Sequence, residues 1–226
     1  MAVTPEATSA RLAAWLVYVG IFTTLQYGAY FSGDNGSKVP SDFLYRYSSA
    51  VAGVAQFLIM LGIALLIAIG APKRELFALR RPNSWGRAVV ISVVVLVTVY
   101  VLSGVIGLFL DPGREQGFLP DRWRPDRAGQ YAANFVVIVV LVPIVEEITF
   151  RGLGFTLLRR FGETTAIVLI GILFAGAHGL VEAFPIIAAF GMGLAFLRSR
   201  TESIYPGICL HALFNAIAML AVFGRT

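Results

Sequence analysis

The chain has 226 residues, 58% of them apolar and 14% charged, with a formal net charge of +5. Soluble domains carry roughly 45–50% apolar and about 25% charged residues, so this composition excludes an ordinary water-soluble domain and points to a chain built for lipid. A single cysteine excludes an internal disulfide, a zinc–thiolate cluster and a Cys-pair redox motif, and with no basic aromatic groove or nucleic-acid motif the positive charge indicates no nucleic-acid partner.

Seven apolar runs can be read along the chain, at 12–31, 49–70, 88–110, 134–160, 164–180, 184–197 and 205–223. A helix needs about 20 residues to cross the hydrocarbon core, and these runs are too long and too continuously apolar for barrel strands. The expected fold is all-α: a polytopic transmembrane helical bundle of about seven spans, six to eight, forming one integral membrane domain over 1–226. The first run lacks a small-residue cleavage site and exceeds the core length of a cleaved signal peptide, so it is expected to remain as an anchor. Trp15, Trp85 and Trp123 are expected at the membrane–water boundary, where indoles anchor. Cys209 is expected as a small core residue.

Basic residues orient such a chain. The connection after the second run carries Lys73, Arg74, Arg80, Arg81 and Arg87 against Glu75 alone, which assigns it to the cytoplasmic side. Alternation then places the N-terminus, the Arg159/Arg160 turn and the Arg198/Arg200 turn on that same side, with the C-terminus opposite. The connection from Asp111 to Arg127 also carries arginines, balanced by Asp111, Glu115, Asp121 and Asp126. The polar patch at 32–41 reads as a loop.

The fourth run contains Glu146 and Glu147 in an otherwise apolar setting. A carboxylate there costs about 2.5–3.5 kcal/mol on insertion scales and marks a functional pathway or site. Residues four apart share a helix face, so Glu147 is placed to pair with Arg151, the acid N-terminal to the base, while Glu146 points elsewhere without a local partner. The bland alternative is that both glutamates share Arg151 in a structural network. Pro143, three residues before Glu146, is expected to kink the helix and open space beside the site. Asn134 has two readings, one lining an aqueous cavity and one closing a helix end.

Both histidines of the chain, His178 and His211, fall in apolar helices. His178 follows Phe174 by one turn, and His211 precedes Asn215 by one turn. Residues 159–163 read as a helix-to-helix turn around Gly162, and Glu146 and His178 lie sixteen positions before and after that glycine. In an antiparallel hairpin rising about 1.5 Å per residue, the two side chains reach a common level. Gly171, Gly176, Gly179, Gly191 and Gly193 are expected to permit close helix packing.

E-E-x-x-x-R at Glu146, Glu147 and Arg151, F-x-x-x-H at Phe174 and His178, and H-x-x-x-N at His211 and Asn215 resemble the three ordered motifs of the type II CAAX prenyl endopeptidase family. That family is also described as the CPBP or Abi family of intramembrane proteases. The resemblance covers a motif-bearing core at 134–223. It implies an intramembrane endopeptidase in which the residue at Glu146 activates water, the one at His178 assists, and those at His211 and Asn215 stabilise the oxyanion. Glu147, Arg151 and Phe174 would support the site. Elementary chemistry agrees: a desolvated carboxylate suits a general base, and an imidazole or amide N–H suits an oxyanion donor.

The family is often labelled metalloprotease, and Glu146, His178 and His211 are the set that would hold zinc with an open water position. H-E-x-x-H is absent, and a lone free carboxylate cannot serve easily as both ligand and base, so Glu-activated water without a tightly bound metal is the favoured reading. The implied partners are the lipid bilayer and a peptide or protein substrate, prenylated or not, reached from the cytoplasmic side of a prokaryotic cell membrane. Two alternatives stand beside it. Glu and His chains also relay protons in transporters, against which no inverted repeat is seen. A catalytically inactive scaffold or immunity protein would not require the motif residues that are present.

Overall fold

The computed structural model describes residues 5–31, 40–110, 120 and 122–224. Most of the expected 32–41 loop, and the charges at Asp111, Arg114, Glu115 and Asp121, therefore lie outside the described residues. Every apolar run is helical, and no strand occurs among the described residues. The helices are α1 (Pro5–Phe31), α2 (Tyr47–Ile67), the short α3 (Lys73–Leu76), α4 (Trp85–Ile106), α5 (Pro125–Phe161), α6 (Glu163–Gly176), α7 (Phe184–Thr201) and α8 (Tyr205–Leu220). Five of them, α1, α2, α4, α5 and α8, are long and apolar enough to cross a bilayer. At 14 residues α6 rises only about 21 Å, and α7 ends in Arg198 and Arg200. The protein is an all-α integral membrane bundle.

The outward faces are apolar, as lipid requires. On α4, Val89, Val90, Val93, Val94, Val97 and Val101 are exposed, while Ala88, Val95 and Val99 face inward. The polar side chains are inverted in the same sense: Glu146, Glu147, Arg151 and His211 are buried. α6 and α7 pack closely: a Cβ at Gly191 would stand 3.0 Å from Gly171 Cα, and one at Gly171 would strike Met192. These two glycines let backbones touch without a hydrophobic driving force between helices. Gly176 differs, since a Cβ there would meet Thr23 at an ordinary 3.6 Å.

The turns expected on one side do meet on one face. Arg160 bonds Ser9 at the start of α1, Arg11 bonds the Ile69 carbonyl after α2, and Arg80, Arg159 and Arg198 converge on Glu202 between α7 and α8. Glu202 adopts a left-handed backbone at φ 56°, and partial burial of its carboxyl is outweighed by the arginines, which hold it below the ordinary glutamate range. At the other end, Tyr131 on α5 donates to Met219 O, Tyr45 Oη to Arg122 O, and the Trp123 ring lies 4.5 Å from Phe223.

Two placements differ from expectation, those of Trp15 and Cys209. Trp15 is fully buried, donating from Nε1 to Thr149 O at 3.0 Å, because α1 lies against α5 and the indole needs a partner there. Trp85 remains half exposed, whereas Trp123 is drawn into the aromatic cluster with Tyr45, Tyr131 and Phe223. Cys209 is exposed on α8 rather than in the core, since a thiol facing hydrocarbon carries no penalty. Asn134 is buried, and its amide donates to the carbonyls of Leu44, Arg46 and Gln130 at 3.0 Å each. It thus ties α5 to the start of α2.

Candidate active site

Helix α5 is not uniformly α-helical. A π-helical turn over Val137–Leu141 precedes a short α segment, Val142–Glu146, and a second π stretch follows over Glu147–Gly154. π segments are rare and concentrate at functional sites. The first has a cause in the sequence. Val142 N–H donates to Val137 O, and the next donor in that register would be residue 143, a proline without N–H. The Ile138 carbonyl left open is taken by Asn215 Nδ2 from α8 at 2.9 Å. The expected effect of Pro143 is therefore a change of helical register sealed by a neighbouring helix.

The two glutamates separate as their spacing suggests. Glu147 Oε1 accepts from Arg151 Nη1 at 2.9 Å, both side chains being wholly inaccessible. Arg151 Nη2 donates to Gly191 O at 3.2 Å, and its guanidinium lies 4.0 Å over the Phe174 ring. On its other side Glu147 meets the first turn of α8, where a Cβ at Gly207 would come within 2.5 Å of Oε2. The positive end of a 16-residue helix there helps hold a buried anion.

Among the described residues no arginine forms an ion pair with Glu146. Its Oε2 is buried, makes no hydrogen bond with the described residues, and lies 3.6 Å from His211 Nε2. His211 Nδ1 stands 3.3 Å from Glu147 Oε1, so the imidazole bridges the two carboxylates. The reading in which both glutamates share Arg151 is not the arrangement found. Phe174 sits at the centre: its ring is 5.2 Å from Phe150, 4.6 Å from His178 and 5.8 Å from His211. Phe150 is one turn past Glu146 and Phe174 one turn before His178, so the hairpin around Gly162, whose φ is 106°, carries the registration that counting implies.

His178 Nδ1 meets the Phe174 carbonyl at 2.7 Å, which assigns the proton to Nδ1 and leaves Nε2 as an acceptor. Among the described residues no hydrogen bond or ion pair joins His178 to Glu146, and its link to the other motif residues runs through Phe174. Asn215, expected to stabilise the oxyanion, has one N–H committed to Ile138 O. Among the described residues no three His, Cys, Asp or Glu side chains stand together as metal ligands. Glu146, His178 and His211 as arranged do not fit a zinc site.

Sequence reasoning missed three neighbours. Tyr18 on α1 and Thr149 on α5 bring buried hydroxyls to the region of Glu146, and Gly207 lets α8 close on Glu147. Thr149, three residues past Glu146, carries a readable signal as a polar residue within the motif helix.

Residues 128–217 match the family model described as type II CAAX prenyl endopeptidase Rce1-like, a stretch that includes all three motifs. No curated protein and no solved structure matches the chain. The helices that bring Glu146, Phe174, His211 and Asn215 together are thus those of the matched stretch, and over residues 128–217 the chain is similar to the type II CAAX prenyl endopeptidase Rce1-like family.

Proposed function

We propose that this membrane protein is an intramembrane endopeptidase and that Glu146 is the base that activates water. One observation carries the reading: of two adjacent carboxylates, Glu147 is neutralised by Arg151, while Glu146 is buried, free of arginine and 3.6 Å from His211. In this mechanism water gives a proton to Glu146 as its oxygen bonds to the substrate carbonyl carbon. The oxyanion so formed needs N–H donors, and the second N–H of Asn215 and an N–H of His211 supply them. Collapse breaks the C–N bond, and the proton held by Glu146 passes to the leaving amine. His178, with Nε2 open, assists as acceptor. No step is routed through a metal.

The family name suggests a peptide near the C-terminus of a protein, prenylated or not, entering from the basic face read as cytoplasmic. Comparison of protein termini in membranes from cells carrying the active chain and Glu146→Ala tests the assignment. New termini should be present with the first and absent with the second, and identical terminal profiles would overturn it. A second reading draws support from the Glu146–His211–Glu147 chain, since carboxylate–imidazole–carboxylate is also a proton path. Proton flux in proteoliposomes that Glu146→Gln abolishes, with no hydrolysis by the same protein, would favour it.

A further inference from the structure

The N-terminal helix lies outside the matched stretch, yet it is clamped across the site. Trp15 Nε1 donates to Thr149 O at 3.0 Å, and Gly154 passes directly under the indole, leaving no room for a Cβ. Three turns on, Tyr27 Oη donates to Leu180 O at 3.3 Å, and a Cβ is already excluded at Gly179 by Gln26 at 2.7 Å. One end of α1 is therefore pinned to the glutamate helix and the other to the chain just past His178. Tyr18 lies between those pins, one turn from Trp15.

The Tyr18 side chain is buried, and among the described residues its hydroxyl makes no hydrogen bond of proper geometry. Trp15, one turn before Tyr18, is bonded to the Thr149 carbonyl, and Thr149 lies one turn past Glu146, so the three side chains belong to one neighbourhood between α1 and α5. Thr149 is fully buried, and among the described residues neither its Oγ1 nor Glu146 Oε2 has a well-formed hydrogen bond. Buried polar groups left unpaired cost roughly 1–3 kcal/mol each, and native structures seldom tolerate several in one place without a purpose. Here a phenol, an alcohol and a carboxylate from two helices face one region. A phenol donates, a carboxylate accepts, and an alcohol does either. One small molecule with an oxygen that both accepts and donates satisfies all three, and water is such a molecule.

We propose that Tyr18 is an additional active-site residue, its hydroxyl acting with that of Thr149 to hold the water that Glu146 deprotonates. This rests on the hydrolytic reading above and extends it to α1. Tyr18 donates a hydrogen bond to the water oxygen and keeps its own proton throughout. The water proton goes to Glu146, and the oxygen, aimed by the two hydroxyls, forms the new bond to the carbonyl carbon.

Tyr18→Phe keeps the ring and its packing and removes one oxygen. In peptide hydrolysis by the purified full chain it should lower kcat roughly a hundredfold, about the loss of one donor to a reacting oxygen, with KM and melting temperature unchanged. Thr149→Val should act in the same direction. The double variant should lose less than the product of the single losses, because both act on one water. Trp15→Phe, which breaks the neighbouring clamp only, should lower the melting temperature while keeping kcat per folded molecule within about twofold. Wild-type kcat in Tyr18→Phe, or a loss of activity only in step with melting as in Trp15→Phe, would overturn the proposal while a dead Glu146→Ala left the hydrolytic reading intact. Full activity in Glu146→Ala would sink both.

Discussion

Glu147 and Glu202 are both bound by arginine, in opposite surroundings. The Glu147–Arg151 pair is wholly inaccessible and completed by His211 and the first turn of α8. Glu202 is about a third exposed and gathers Arg80 and Arg159, each more than two-fifths exposed, together with the buried Arg198. Water and salt weaken the second cluster but do not reach the first. The buried pair therefore sets the geometry of the site, whereas the Glu202 cluster fastens connections that would hold nearly as well without it. The buried pair also explains why Glu146 remains available: the one buried guanidinium beside the two acids is already committed to Glu147.

This contrast can be broken from the inside outward. Arg151→Leu strands the Glu147 carboxylate in the core, and thermal unfolding in detergent should show a loss of about 3–5 kcal/mol that added salt does not alter. Gly207→Ala drives a methyl against Glu147 Oε2 and should cost about 1–3 kcal/mol, with activity falling because the Arg151 and His211 contacts are displaced together. Asn215→Leu leaves Ile138 O unpaired beside Pro143 and should cost about 1–3 kcal/mol. If instead Asn215→Leu loses activity at unchanged stability, the amide serves the oxyanion alone and the register seal is unimportant.

Glu202→Gln should be the mildest, no more than about 1 kcal/mol and vanishing in high salt. Its carboxyl is held below the ordinary range in the folded protein, so its contribution is present at neutral pH and fades as pH falls through the acid range toward that lowered value. A pH series comparing Glu202→Gln with the parent should show the two stabilities converging at low pH. Convergence at high pH would contradict the pairing.

The apolar runs foretold the helices because lipid leaves a backbone few other solutions, and the basic turns foretold a common face because their charges share one side. Periodicity likewise separated Glu147 from Glu146, since one turn of helix reaches Arg151. The π segments were not legible, because backbone register depends on a missing hydrogen bond rather than on composition. Pro143 held the clue: a proline removes a donor, and the freed carbonyl must find one, here on α8. The burial of Trp15 and the exposure of Cys209 were missed because, in lipid, apolarity no longer tells inside from outside. Tyr18 escaped for a related reason, as a single hydroxyl in an apolar helix whose neighbours are set only by packing.

The most direct test is single-turnover cleavage of a pool of prenylated and unprenylated C-terminal peptides by purified full-length protein, beside Glu146→Gln at equal melting temperature. The parent should cleave at least one peptide of the pool, and the variant should be slower by at least about a hundredfold, the share expected of a lost general base. Equal cleavage rates in the two proteins would contradict the account.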